Sequence, residues 1–492
     1  MPLSGKLAVE RADLSKDRLS STPLLDAFEN FHGSFFDLER NLRISADSAK
    51  RLRTEVRLGM QRLGLGQGER VIAAAPNGVL FAAVWAASLE AGASPILVHS
   101  ETPEAELCRM AESWGARFIV AGEAQGSGAG EVLTSGETGG LRWQRVGDHR
   151  DLLDLPPVPL HPTSGTSGGP KVAVRPGPSA VAEPLHYIET LSIDRSDVIL
   201  CALPVSHAYA YGMCLLVALL TSAELLFLSR FNPALLKRAL NEMKVSVLPA
   251  VPVMLDGLLA SDAAGMVGRP RIVLSAGAPL RKETFEACQE QWGLIVRPLY
   301  GTTETGGISI GRAQDAFDGS VGPPMKGVEV DVGGAGGGSG FGPDTGVLRV
   351  RSASMMSGYL EPGGINSDML GAGWFETGDL ARIDGKGAIH LQGRLSEVIN
   401  VLGFKVAPRE VEDVIAMLPK VREVKVYGGR WRGQTVVEAA VVSSGSLEEE
   451  AILRHCDRHL VSYKCPSAIR FVEALPRTAA GKVAVQRLQR RD

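Results

Sequence analysis

The chain has 492 residues, 45% hydrophobic and 22% charged, with a net charge of −3. These values fit two or three globular domains and give no reason to expect nucleic acid or an anionic membrane surface as partner. Six scattered cysteines without a C-x-x-C pair suggest neither a disulfide framework nor a zinc site, so a reducing, cytoplasmic setting is expected.

The N-terminus, MPLSGKLAVERADLSKDR, is polar and charged and lacks the apolar run of a secretory signal. Residues 70–121 alternate between strand and helix. Residues 70–75 read as a buried strand, Val79–Glu90 as an apolar helix closed by Gly92, and residues 95–98 as a second strand. Thr102 then caps a helix with Pro103 at its first position, running to Trp114 and followed by a third strand at 117–120. This order implies parallel strands with helices on the sheet faces.

Residues 161–176, HPTSGTSGGPKVAVRP, supply hydroxyls at Thr163, Ser164, Thr166 and Ser167 and bare amides at Gly165, Gly168 and Gly169. Lys171 adds a point charge. Such a loop suits a polyphosphate, because backbone N–H groups can crowd an anion where no Cβ stands in the way. It is not a Walker A loop, G-x-x-x-x-G-K-S/T: counted from Gly165, the second glycine is replaced by Pro170, and Val172 follows the lysine. The plainer reading of any Gly/Ser/Thr run is a solvated linker.

The α/β pattern recurs between 197 and 300, where VILCALPV, ELLFL, VSVLPAV, RIVLSAG and LIVRPLY read as short buried strands. The most apolar stretch, residues 213–228, is too short and too polar to span a bilayer. Residues 331–345 are glycine-rich and read as a surface loop, and VLRVRS after them suggests a small β subdomain. From about residue 395 a separate module begins. Its expected elements are a helix opened by Pro408, strands near 422–427 and 435–442, a helix over 447–460 and a strand near 468–473.

Five further motifs follow the Gly/Ser/Thr loop: LPVSHAYAYG (203–212), SAGAPL (275–280), YGTTET (300–305), GWFETGDLARIDGKGAIHLQGR (373–394) and PRTAAGKV (476–483). Together with the loop, and in this order, they resemble the AMP-forming adenylating superfamily of acyl-CoA synthetases, peptide-synthetase adenylation domains and luciferases. The resemblance implies an α/β fold. Residues 1–394 would form a large N-terminal domain of stacked mixed and parallel sheets with helices plus a β subdomain, and residues 395–492 a small mobile α+β domain.

The activity it implies is attack of a carboxylate on the α-phosphate of ATP, giving an acyl-adenylate and pyrophosphate, followed by displacement of AMP by a thiol. Residues Thr163 to Lys171 would then hold the β- and γ-phosphates. Thr303 would contact the α-phosphate, and Glu304, with Thr166, would hold Mg²⁺, whose preference for hard oxygen ligands a carboxylate satisfies. Tyr300 would stack on adenine beside the backbone of Gly277 and Ala278, and Asp379 and Arg394 would bind the ribose. Lys482 would bridge the acid and the α-phosphate, offsetting the repulsion of two anions. Each position has a plainer reading by itself: a helix cap for Thr303–Glu304, a turn for Asp379, a core aromatic for Tyr300, a surface lysine for Lys482 and a core histidine for His207.

His207, Tyr209, Tyr211, Val253, Ala276, Gly301 and Gly306 would line the acid pocket. With no carboxylate near Ser206–His207, a free amino acid is disfavoured. With glycine at 301, where acetate-activating members carry tryptophan, the acid should exceed acetate, and an aryl or medium-chain acid is expected. The small domain would rotate between half-reactions, with Ser396 at the hinge and Gly403 and Phe404 bordering the thiol's tunnel. Ser396 departs from the family's usual Asp or Lys. Coenzyme A is the expected acceptor and the phosphopantetheine of a separate carrier protein the alternative; monomer and homodimer both stay open. A nucleotide-binding module without catalysis would lack Lys482, Glu304, Asp379 or Lys171, and all four are present.

Overall fold

The structure is a computed structural model that describes residues 20–122, 131–134, 140–147, 156–163, 171–261, 268–333, 344–361, 364–401, 404–431, 434–477 and 483–489. The chain forms two compact units, Met1–Glu329 with Val350–Phe375, and Val330–Arg349 with Glu376–Asp492.

The first unit carries two large sheets. One has the order Gly306–Ile310, Val296–Thr302, Ile272–Ser275, Val247–Ala250, Val198–Cys201, Glu224–Phe227, Ser34–Asp37, Leu42–Ser45. Its strands from Val296–Thr302 to Ser34–Asp37 run parallel. The four inner strands, Val198–Cys201, Glu224–Phe227, Val247–Ala250 and Ile272–Ser275, are short and mostly apolar, as strands covered on both faces must be. The other sheet is centred on the parallel strands Leu160–Thr163, Ser94–Leu97, Arg70–Ala74 and Phe118–Gly122. Helix Val79–Glu90, VLFAAVWAASLE, has no polar face, and every residue from Val79 to Leu89 is buried.

The strand–helix–strand order expected over 70–121 is present with parallel pairing. One detail differs. The helix after it is Glu104–Ser113, and Pro103, in extended conformation, occupies the cap position expected for Thr102. Proline's fixed φ suits the cap as well as the first turn, which shifts the start by one residue. The apolar stretch at 213–228 divides among a wide-turned helix Tyr211–Leu216, a helix Val217–Thr221 and strand Glu224–Phe227. Among the described residues no helix is long and apolar enough to cross a membrane.

Strands Val328–Gly333, Gly346–Ser352, Phe375–Ile383 and Ile389–Arg394, most of whose residues belong to the second unit, form a sheet in that order. Part of the glycine-rich stretch, 334–343, lies outside the described residues. A three-stranded sheet, Val421–Trp431, Gln434–Ser443, Ala468–Phe471, carries helices Pro408–Ala416 and Glu449–His459. On its central strand Val437, Ala439 and Val441 join one apolar cluster, while Ala440 and Val442 join another. That period of two shows a strand buried on both faces. All six cysteines are free thiols.

Candidate active site

Thr163 ends one strand and Lys171 begins the next, and the two are direct antiparallel partners. The strands on either side of the Gly/Ser/Thr run are therefore antiparallel neighbours; Ser164, Gly165, Thr166, Ser167 and Gly168 lie outside the described residues. Lys171 is exposed, and its ammonium sits 4.8 Å from the centre of the Tyr359 ring. The Tyr359 hydroxyl donates to Glu304 Oε1 at 2.7 Å. One aromatic side chain thus ties Lys171 to the carboxylate of the YGTTET motif.

That motif is a hairpin, not a helix cap. Tyr300, Gly301 and Thr302 continue strand Val296–Thr302, and Thr303, Glu304 and Thr305 make the turn into Gly306–Ile310. The Thr302 and Thr305 hydroxyls lie 3.0 Å apart, and Thr305 N–H donates to Thr302 Oγ1. Gly306 completes the turn with φ +73°, a conformation that costs other residues a Cβ clash.

Ser275 pairs with Pro298 on the adjacent parallel strand, so Gly277 and Tyr300 both lie two residues beyond that pair, at the carboxyl ends. Ligand loops of parallel sheets gather at such ends. Gly277, Ala278 and Gly301 are exposed, Tyr300 is half-buried at the strand end, and Ala276 is buried. A Cβ at Gly301 would stand 2.5 Å from the Gly306 carbonyl oxygen, so any larger residue there must displace the hairpin.

LPVSHAYAYG follows the carboxyl end of Val198–Cys201. Asn77 pins it: its side-chain amide donates to the carbonyls of Leu203 and Leu228, and its carbonyl accepts from Val205 N–H. His207 is exposed, which removes the core-histidine reading. Tyr209 is half-buried, and burial raises its phenol well above the usual range. Tyr211 is wholly buried, edge-on to Trp85 and to His161 at 4.9 Å. Burial, then Arg175 and His207, keep His161 well below the usual imidazole range, and it is neutral. Val253, 70% exposed, opens to the surface of its helix.

In the second unit, Asp379 and Arg394 are cross-strand partners, and Arg394 Nε lies 2.6 Å from Asp379 Oδ1. Asp379 N–H donates to Thr377 Oγ1, which in turn donates to the Leu348 carbonyl. The T-G-D motif is therefore part of a strand, with its carboxylate already oriented. Ser396 is exposed in a single tight turn, Leu395–Glu397. Phe404 stacks on Tyr463 at 4.6 Å. Gly403 and Lys482 lie outside the described residues.

Sequence reasoning missed Tyr359, Asn77, Arg175 and Glu183. The last two carried a signal. Arg175 follows the buried Val172–Ala173–Val174, and Glu183 interrupts an apolar helix face, so each is a charge in an apolar setting that calls for a partner. Arg175 Nη2 and Glu183 Oε2 are 2.7 Å apart and almost fully buried.

A family model described as AMP-binding enzyme matches residues 43–360, and one for the AMP-binding enzyme C-terminal domain matches residues 410–482. The chain is 27% identical over 470 residues to a 4-coumarate–CoA ligase of Pinus taeda, covering 89% of this chain and 88% of the relative. Its fold is similar to that of ATP-bound MatB from Rhodopseudomonas palustris, with a TM-score of 0.82, 24% identity and coverage of 96% and 98%. It is also similar to o-succinylbenzoate CoA synthetase (MenE) from Bacillus subtilis in complex with its acyl-adenylate intermediate. There the TM-score is 0.80 at 20% identity, with 96% and 99% coverage.

Proposed function

Since this chain belongs to the family of AMP-binding enzymes and is an AMP-forming acid–thiol ligase, we propose that it activates an acid larger than acetate, aryl or medium-chain, for transfer to coenzyme A. ATP and coenzyme A are its co-substrates. One observation carries the assignment of the phosphate end: Lys171, at the end of the glycine-rich run, and Glu304 meet through Tyr359. A cation and a carboxylate side by side suit a polyphosphate with its metal, since each needs the opposite charge.

In this reading residues Thr163 to Lys171 hold the β- and γ-phosphates, and Thr303 contacts the α-phosphate. Tyr300 covers adenine beside Gly277 and Ala278, while Asp379 and Arg394 take the ribose hydroxyls. Glu304 and Thr166 would hold Mg²⁺, which neutralises charge between phosphate oxygens when bound. His207, Tyr209, Tyr211, Val253, Ala276, Gly301 and Gly306 surround the acid. The carboxylate oxygen attacks the α-phosphorus and pyrophosphate leaves; the thiol then attacks the acyl carbon and AMP leaves with the carboxylate oxygen. Lys482 lies between acid and α-phosphate in the first step only. The domain from residue 395 turns about Ser396 to bring Gly403 and Phe404 to the thiol. ATP–pyrophosphate exchange across aliphatic and aromatic acids tests this. We expect exchange with an aryl or medium-chain acid and none with acetate, loss of exchange in Lys482→Ala, and retained thioester formation by that variant from synthetic acyl-adenylate. Equal loss of both steps would contradict the role of Lys482, and acetate as best substrate would contradict the pocket.

A further inference from the structure

Glu183, midway along helix Gly177–Leu191, and Arg175, directly after strand Lys171–Val174, are charged side chains in the interior of the first unit. Arg175 is 0% exposed and Glu183 1%, with Nη2 2.7 Å from Oε2. Replacing a buried ion pair by apolar side chains of the same volume is often neutral or stabilising, so stability alone is a weak reason for this one. Its contacts supply a better reason. Glu183 Oε1 accepts from Gly307 N–H at 3.2 Å, immediately after the YGTTET turn. Arg175 Nη2 donates to the Ser354 carbonyl, and Ser354 Oγ donates at 2.6 Å to the carbonyl of Thr305, the residue next to Glu304. Two residues on, Met356 N–H donates to the Glu304 carbonyl at 2.7 Å. The pair therefore grips the turn on both sides, directly through Gly307 and indirectly through segment 354–356.

The surroundings make room for this grip. A Cβ at Gly306 would stand 2.5 Å from the Glu183 carboxyl carbon, and one at Gly212, at the end of LPVSHAYAYG, 2.4 Å. Tyr187 donates to Glu183 Oε1 at 3.4 Å, and its phenol is held neutral by burial and then by the Glu183 charge. Both walls of the expected acid pocket thus carry glycine where they meet this carboxylate.

We propose that Arg175 and Glu183 are positioning residues that fix the Glu304 turn for its metal and, through Gly212 and Gly306, set how the two pocket segments meet. This rests on the reading of Glu304 as the metal-holding carboxylate. Outer groups that orient a metal ligand typically change metal affinity when lost. The test compares Glu183→Gln, which keeps shape and an acceptor oxygen but removes the charge, with Ser354→Ala, which cuts the link to Thr305 and leaves the ion pair intact. In both, the Mg²⁺ concentration for half-maximal pyrophosphate exchange should rise about tenfold. By calorimetry, the gain in ATP affinity on adding Mg²⁺ should shrink by a similar factor. ATP binding without metal, and thioester formation from synthetic acyl-adenylate, should match the wild type. Unchanged metal dependence in both variants would overturn the inference, as would parallel loss of every readout with thermal stability. A wild-type enzyme whose ATP binding ignores Mg²⁺ would overturn the Glu304 assignment first, and the inference with it.

Discussion

The two units hold their candidate site residues by different means. In the first unit the Glu304 turn stands on Arg175 and Glu183, at 0% and 1% exposure. In the second, Asp379 is paired with Arg394, whose side chain is 40% exposed. A buried pair cannot open without stranding a charge in low dielectric, so it keeps one geometry. In the second pair only the guanidinium is half-exposed, so Arg394 can exchange its partner for water while Asp379, 8% exposed, stays covered. On the roles proposed for them the difference suits the parts: a carboxylate for phosphate chemistry needs a fixed place, whereas one that takes ribose hydroxyls must release a partner to accept another.

Breaking the fixed half should cost most. Glu183→Leu strands Arg175 and should lower unfolding free energy by about 3–5 kcal/mol, read from urea denaturation. A loss below about 1 kcal/mol would mean that the pair is already open to water. Acid should attack the same region. His186, packed beside Gly327, is held down at about 4 from 6.5 by burial, then by Arg175. Between these values the unfolded chain binds a proton that the folded chain refuses. Stability is thus complete above pH 6.5 and falls by on the order of 3 kcal/mol as pH drops to about 4. His161 shifts the same way and adds to the loss as pH falls below 6.5. Urea midpoints between pH 7 and 4 would show this slope, and His186→Gln should flatten it. The second pair should register less. Arg394→Ala removes a half-exposed guanidinium but takes this ion pair from Asp379, which is 8% exposed, and should cost about 1–3 kcal/mol while raising KM for ATP. A large stability loss with unchanged KM would reverse the contrast.

Much of the fold could be read from residue order. Helix Val79–Glu90 is apolar on all sides and flanked by glycines, and the parallel strands are short apolar runs; local pattern suffices for both. The Thr303–Glu304 turn was harder. A T-E pair fits a helix start, and only Gly306 in a left-handed conformation, with strand pairing on both sides, makes it a hairpin. Arg175 and Glu183 were visible as charges in apolar settings, but their purpose lies 124 residues away from Glu183, at Gly307, beyond the reach of periodicity. Space is equally invisible in a sequence. Gly301 reads as an open position, yet its missing Cβ is where the Gly306 carbonyl passes.

Following one carboxylate oxygen tests the central claim most directly. With the acid labelled with heavy oxygen and supplied with ATP and coenzyme A, an adenylate route leaves one labelled oxygen on the phosphate of AMP, and pyrophosphate carries none. Label in inorganic phosphate, with ADP as the spent nucleotide, would contradict the account.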